Sequence, residues 1–259
     1  NLVRFEPALR GHAIDSRVTK ITTGTTATVT AFDLNPGINY AQLPNNSARA
    51  SALSEPFGVA FDASHGVVFV AAQGTDRIAV VDTQGAVIAR IEIGDAIGAQ
   101  VDTRNKRGPR ALALHETANR LYVLNRLSDT LSIINTVTHA VLKELPIASW
   151  DAMPTHLREG RKFLYDAKLS GNGTMSCAAC HIDGDTDGIA WDLGDPGGTM
   201  LSAPQQSSPF NIGLASVHPM KGPLMTQTLR GLANTGVLHW RGDRADFQAF
   251  NPSFDQLLG

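Results

Sequence analysis

Two stretches of the chain share one pattern of apolar and polar residues: VVFVAAQGTDRIAVVDT at residues 67–83 and RLYVLNRLSDTLSIINT at residues 120–136. The first copy starts at residue 67 and the second at residue 120, an offset of 53, and the two align without a gap. Each copy holds two runs of β-branched, aliphatic and aromatic residues that are separated by a polar turn, a pattern typical of paired antiparallel strands. The runs PFGVAF, from residue 56, and PRALAL, from residue 109, align at the same offset and add a strand in front of each copy.

A fourth run, at residues 87–93 and 140–147, completes a four-stranded meander in each repeat. Repeated meanders of this kind cannot bury their faces alone, and they stack radially as the blades of a β-propeller. Residues 27–34 indicate the end of an earlier blade, and a loop at residues 94–107 lengthens the repeat. A β-sandwich is the alternative. Because a propeller needs about four blades or more, we expect the chain to be part of a longer polypeptide or of a larger complex.

The runs RLYVLN, from residue 120, and IINT, from residue 133, resemble the YVTN type of bacterial β-propeller repeat. This resemblance implies consecutive antiparallel blades between about residues 50 and 147. Phe69 and Tyr122 align at the offset of 53, so we expect them to occupy equivalent positions in two blades.

The composition indicates an ordinary globular protein that is long enough for two domains. The chain has 259 residues, of which 42% are hydrophobic and 18% charged, and its net charge of −2 gives no reason to expect a nucleic-acid partner. The sequence has no run of about 18 apolar residues, so it predicts no transmembrane helix within this chain. After Trp150 the strand pattern gives way to Gly, Asp, Pro and short helical patterns. We therefore predict an all-β propeller part at residues 1–150 and a mainly α-helical second domain at residues 151–259.

The second domain contains the motif that carries chemistry, in which Cys177, Cys180 and His181 have the C-x-x-C-H spacing of c-type haem attachment. One helical turn places the two sulfurs beneath the two vinyl groups of the porphyrin, and the next residue offers its imidazole to the iron. Residues 157–166 predict a helix that leads the chain to this motif.

Three other interpretations of the motif are weaker. A structural zinc site needs four ligands, and the chain has no second pair of cysteines. A thioredoxin-like redox pair needs a βαβ setting, which the surrounding sequence does not predict. A disulfide between the two cysteines would close a short, strained loop. The sequence therefore predicts one covalently bound haem c.

The surrounding sequence resembles the cytochrome c domain that is fused to YVTN-type propellers and is akin to bacterial di-haem cytochrome c peroxidases. The matching stretches are residues 160–166, 169–173, 176–181, 191–196, 218–223, 227–231 and 239–244. Di-haem peroxidases need two attachment motifs and this chain has one, which puts peroxidase chemistry in doubt.

An electron-transfer haem needs a second axial ligand, usually Met or His. We predict Met220, because it lies in a loop bounded by Pro and Gly that the family resemblance marks. Met225 is the nearest rival, and His218 and His239 are bis-histidine alternatives. Ordinary core packing is the alternative for either methionine.

Haem propionates favour Arg, Lys or an indole N–H as partners. Arg230, Arg241 and Trp240 are the residues that we predict for this role, with solvated ion pairs as the alternative for the arginines. Trp191 is expected either to pack on the porphyrin face or to close the core.

Residues 183–188, DGDTDG, fit the first half of an EF-hand calcium loop. The twelfth position of that loop is Gly194, so the usual bidentate carboxylate is missing. We prefer an Asp-rich surface turn to a calcium site.

The family resemblance implies a place on the oxidising side of the bacterial membrane, in the periplasm or at the cell surface. We expect a c-type cytochrome that transfers electrons to or from a redox partner that the sequence does not identify, with the propeller as a docking platform. The alternative is a peroxidase-like or oxidase-like enzyme whose iron keeps an open coordination site. We assign no catalytic residue.

Overall fold

The computed structural model describes residues 2–4, 11–193, 201–202, 216–217, 222–240, 242, 244–255 and 259. The described part begins with the short strand β1 (Leu2–Arg4) and continues with an antiparallel hairpin of β2 (Arg17–Thr22) and β3 (Thr28–Asp33). The helix α1 (Asn46–Ser51) follows, and the side chain of Asn45 caps its first turn.

Two four-stranded antiparallel sheets come next, and in each of them every strand pairs with its neighbour in sequence. The first sheet consists of β4 (Pro56–Asp62), β5 (Val67–Ala72), β6 (Arg77–Asp82) and β7 (Val87–Glu92). The second sheet consists of β8 (Pro109–His115), β9 (Arg120–Asn125), β10 (Thr130–Asn135) and β11 (Val141–Pro146). The prediction of consecutive propeller blades is confirmed.

The two blades repeat each other in detail. Phe69 pairs with Val80 in the first blade, and Tyr122 pairs with Ile133 in the second, which is the same register at the offset of 53. A β-bulge interrupts the third and fourth strands at the matching place in both blades. Left-handed backbone also recurs in the matching turns, at Gly66 and Asn119 and at Asp76 and Asp129.

The main core lies between the two blades, because alternate residues of each strand point to the same face of the sheet. Both blades contribute to it, with Phe69, Ala71, Ile78, Val80, Ile91, Ile93, Leu121, Val123 and Ile134 as its buried members. A second cluster fills the other face of the first blade, against the β2–β3 hairpin and the chain after α1. Its buried members are Leu34, Leu53, Val70, Ala72, Ala79 and Val81.

The chain after the blades has little regular structure in its described residues. It contains the ten-residue helix α2, several 3-10 turns and very short strands. The elements are α2 (Thr155–Leu164), β12 (Ala190–Asp192), β13 (Leu201–Ser202), β14 (Ser216–Val217), β15 (Leu224–Met225) and α3 (Asn251–Ser253). None of the helices in the described ranges has the length and hydropathy needed to span a bilayer.

This region also receives a strand from the start of the chain. β1 pairs in parallel with β12, and β12 pairs antiparallel with β15. The short sheet therefore joins the described start of the chain to the residues that follow the C-x-x-C-H motif.

Candidate haem-attachment site

The C-x-x-C-H motif forms a tight turn that begins at a serine cap. Ser176 Oγ accepts a hydrogen bond of 3.1 Å from the Ala178 N–H, and residues Cys177–Ala179 form a 3-10 helix. The backbone N–H of His181 donates to Cys177 O at 2.9 Å. One turn of backbone thus carries both cysteines and the histidine, as haem attachment requires.

The imidazole of His181 is oriented by a second segment of the chain. Its Nδ1 lies 2.7 Å from Gln227 O, and because a carbonyl oxygen only accepts, Nδ1 carries the proton. The other ring nitrogen, Nε2, is then the one with a lone pair for a metal. A histidine that ligates a metal usually has its second ring nitrogen fixed in this way.

Both cysteines of the chain are free thiols, so the structure contains no disulfide between them. Burial raises the pKa of Cys177 to about 11 and that of Cys180 to about 12, which keeps both thiols protonated at neutral pH. No group of three or more His, Cys, Asp or Glu that suits a metal ion occurs in the described residues, so a structural zinc site is not formed there. Two free thiols and an imidazole with a fixed tautomer fit covalent haem.

A polar cluster holds the segment after the motif against the second blade. Tyr165 donates a hydrogen bond to Asp183, and Arg126 Nη1 lies 3.2 Å from the Tyr165 hydroxyl and 3.1 Å from Asp183 Oδ1. The hydrogen bond from Tyr165 and the charge of Arg126 keep the pKa of Asp183 below its usual range. Asp183 is the second residue after His181, so Arg126 links the end of the motif to the propeller.

The segment that leads into the motif is bound to the propeller through a buried charged contact. Lys106 Nζ lies 3.4 Å from Asp76 Oδ1 of the first blade and 3.4 Å from Asp166 Oδ1, and it donates to Gly74 O at 3.0 Å. Burial disfavours the charged form of Lys106, but the neighbouring carboxylates outweigh it and its pKa is raised. Thr103 also donates to Asp166, at 2.6 Å.

The structure places some of the predicted pocket residues and not others. Met225 is half exposed at 52% and sits on β15, and Trp240 Nε1 donates to its carbonyl oxygen at 2.6 Å. Arg230 lies 3.4 Å from Asp185, and its side chain is mostly exposed. The indole N–H of Trp240 and the guanidinium of Arg230 thus have protein partners here. Three predicted residues lie outside the described ranges, namely Met220, Arg241 and His218.

The acidic loop that resembled half an EF-hand directs its carboxylates to protein donors. Asp183 pairs with Arg126, Asp185 pairs with Arg230, and Asp187 Oδ2 accepts from Trp191 Nε1 at 2.9 Å. The carboxylates do not gather as a metal site in the described residues. The calcium hypothesis therefore has no support, and the preferred interpretation as an Asp-rich turn fits the contacts.

Sequence reasoning missed the residues that surround the motif. Ser176 carries a local signal, since Ser is a favoured cap directly before a helical turn. Tyr165 and Asp166 lie in a stretch that carries the family resemblance, but neither they nor Lys106 show in the sequence the contacts that they make, because those contacts join segments far apart in the chain.

A family model for seven-bladed β-propeller lactonases matches residues 33–186, which is more than half of the chain. The chain belongs to this seven-bladed β-propeller lactonase family. A second model, for di-haem cytochrome c peroxidases, matches residues 155–253 of this propeller protein. The predicted union of a propeller with a peroxidase-like cytochrome region is thereby confirmed. The two matched ranges overlap at residues 155–186, which include the C-x-x-C-H motif.

The solved structures that resemble this propeller protein align with only part of its chain. The hydrazine synthase of Kuenenia stuttgartiensis is 22% identical over 38% of this chain and 25% of that chain, with a TM-score of 0.30. The virginiamycin B lyase of Staphylococcus aureus is 15% identical over 51% and 35%, with a TM-score of 0.35. The periplasmic gluconolactonase of Pseudomonas aeruginosa is 12% identical over 55% and 42%, with a TM-score of 0.30.

The propeller protein spans between a quarter and about two fifths of the length of these structures. A search of curated proteins finds no match.

Proposed function

We propose that this propeller protein is a c-type cytochrome that transfers single electrons through one haem bound to Cys177 and Cys180, with His181 as the proximal iron ligand. The observation that carries the proposal is the 2.7 Å hydrogen bond from His181 Nδ1 to Gln227 O, which leaves Nε2 as the ligating nitrogen beside two free thiols. The match to the cytochrome c peroxidase family supports a haem-binding redox function.

When bound, the haem supplies a one-electron carrier whose potential depends on its axial ligands and on the surrounding charge. The protein holds the imidazole of His181 in one tautomer through Gln227. It holds the motif in place through Ser176, Arg126 and the buried Lys106. The propeller thus supports the motif through these contacts, and we propose that it also serves as a docking platform for the partner.

We retain three further expectations as proposals. The division at Trp150 into a propeller part and a cytochrome domain rests on the change of sequence texture. A place in the periplasm or at the cell surface follows from covalent haem attachment. Arg230, Arg241 and Trp240 stay predicted partners of the propionates.

Covalent attachment is tested on protein produced in a host that matures c-type cytochromes. We expect the haem to stay with the denatured chain in acid–acetone extraction, and the intact mass to exceed that of the polypeptide by one haem. Cys177→Ala should keep one thioether bond and retain haem less firmly. The double variant Cys177→Ala, Cys180→Ala should lose all haem on extraction. Extraction of the porphyrin from the unaltered protein would contradict the attachment.

The sixth ligand decides between electron transfer and catalysis. Because thioether sulfur is a weak ligand of ferric iron, Met220→Ala should open a site for water, convert a low-spin spectrum to high-spin and lower the potential. Met220→His should keep the iron low-spin at a lower potential. Absorption spectra and redox titration measure both effects.

Met225→Ala is the matched control, and it should leave the spectrum nearly unchanged because Met225 is half exposed on β15. If Met225→Ala alone gives the high-spin form, the ligand assignment is reversed. If the unaltered protein is already high-spin and reacts rapidly with peroxide, it is a peroxidase-like enzyme, the second candidate that the family match favours.

A further inference from the structure

Glu55 occupies an unusual position at the start of the first blade. It directly precedes β4, and its backbone is left-handed, with φ 55°. Non-glycine residues adopt this conformation rarely, and it persists where the surrounding structure enforces it. The Gln73 N–H donates to Glu55 O at 3.1 Å, and the Gly74 N–H donates to the preceding carbonyl at 3.0 Å. These bonds fix the backbone from which the side chain of Glu55 extends.

The carboxyl group of Glu55 faces the C-x-x-C-H turn. One of its oxygens, Oε1, accepts a hydrogen bond from Ser176, the cap of that turn and the neighbour of Cys177. The other oxygen, Oε2, is buried and has no hydrogen-bond partner within the described part of the chain. A buried carboxylate oxygen without a partner is costly when charged, which favours the protonated acid.

The charges around Glu55 act in opposite directions. Lys106 and Arg110 favour its charged form, and Asp166 opposes it. Burial outweighs the favourable neighbours and raises the pKa of Glu55 to about 7. Burial is the main cause of the raised pKa of Cys177, and the negative charge of a deprotonated Glu55 adds to it, so this charge acts on the sulfur that would carry the haem.

We propose that Glu55 is the proton-binding site coupled to reduction of the haem, so that the carboxyl group takes up a proton when the haem gains an electron. The inference rests on the proposed function, because it requires haem on Cys177 and Cys180. It assigns to a residue of the propeller a direct influence on the redox centre.

The charge balance of the coupled step is simple. One electron arrives from an external donor, one proton arrives from solvent and binds Glu55, and the total charge of the site stays the same. A deprotonated Glu55 stabilises the more positive ferric state and therefore lowers the potential. The potential should thus fall as pH rises through the range in which Glu55 loses its proton, with the centre of this range near neutral pH.

The experiment is a redox titration of the haem-loaded protein at pH values from 5 to 9. The reduction equilibrium of the unaltered protein should change with pH by up to tenfold per pH unit, which is about 59 mV for one electron. Glu55→Gln keeps the size and the oxygen that accepts from Ser176 but cannot ionise. It should have a nearly constant potential that equals the low-pH value of the unaltered protein.

Glu116→Gln is the matched control, because Glu116 is an exposed glutamate of the second blade. Its pH profile should follow that of the unaltered protein. An equal pH slope in Glu55→Gln would overturn the inference. A flat profile in the unaltered protein would also overturn it.

A second measurement needs no variant. Reduction of the unaltered protein at pH 7 in weak buffer should take up a measurable fraction of one proton per electron, as read by an indicator dye. Infrared difference spectra should show a protonated carboxyl band that grows on reduction. Absence of both signals overturns the inference. Absence of covalent haem is a different result, since it removes the proposed function together with everything that rests on it.

Discussion

Replacement of Arg77 with Met is expected to destabilise the protein by about 3–5 kcal/mol, the usual cost of removing one partner from a buried ion pair. The side chain of Arg77 is fully buried, and its Nε donates to Glu92 at 2.8 Å. Its remaining donors bind carbonyl oxygens at the end of α1 and in the loop after the first blade. A cation is favourable at the end of a helix because the last carbonyl groups carry partial negative charge. These acceptors belong to Arg49, Ala50, Ala52 and Gly98.

Urea unfolding followed by circular dichroism measures the loss as a lower midpoint. Arg17→Met is the matched control, because Arg17 is exposed and pairs with Asp15 at the surface, so its replacement should cost no more than about 1 kcal/mol. A midpoint for Arg77→Met that equals that of Arg17→Met would show that the buried contacts contribute little.

Replacement of His181 with Ala is expected to have the largest effect on the redox centre. The thioether bonds that we propose for Cys177 and Cys180 do not involve the imidazole, so the haem should remain attached. The iron should lose its proximal nitrogen, which removes the low-spin spectrum and shifts the potential. Absorption spectra and a redox titration of the purified variant measure the change.

Added imidazole provides the rescue in this experiment, since it should restore much of the low-spin spectrum in His181→Ala. His115→Ala is the control, because His115 lies exposed at the end of β8. An unchanged spectrum in His181→Ala would show that another residue is the proximal ligand. The hydrogen bond with Gln227 would then not serve to orient an iron ligand.

The blades were predictable because their signal is local and repeated. Alternating apolar residues define the strands, and the offset of 53 predicted that Phe69 and Tyr122 would share a register, as the pairing with Val80 and Ile133 confirms. The C-x-x-C-H spacing was also visible in the sequence, and its residues lie on a single turn.

The buried charges were not predictable from the sequence. Lys106 lies in a stretch that reads as a polar surface loop, yet it is almost completely buried between the propeller and Asp166. Glu55 and Ser176 are separated by most of the blades, and no sequence pattern pairs them. For the acidic stretch at residues 183–188 the preferred interpretation was an Asp-rich turn, and its carboxylates contact Arg126, Arg230 and Trp191, partners that the sequence did not indicate.

The contact of Lys106 with Asp76 and Asp166 limits how the segment that contains Asp166 could be moved to another protein. Lys106 and Asp76 lie in the range that only the propeller family matches, whereas Asp166 lies in the range that both families match. If the segment with Asp166 and the C-x-x-C-H motif were transferred alone to another propeller, the buried Asp166 would lose its partner Lys106. A chimaera that keeps this contact would therefore need the loop with Lys106 as well as the segment with Asp166.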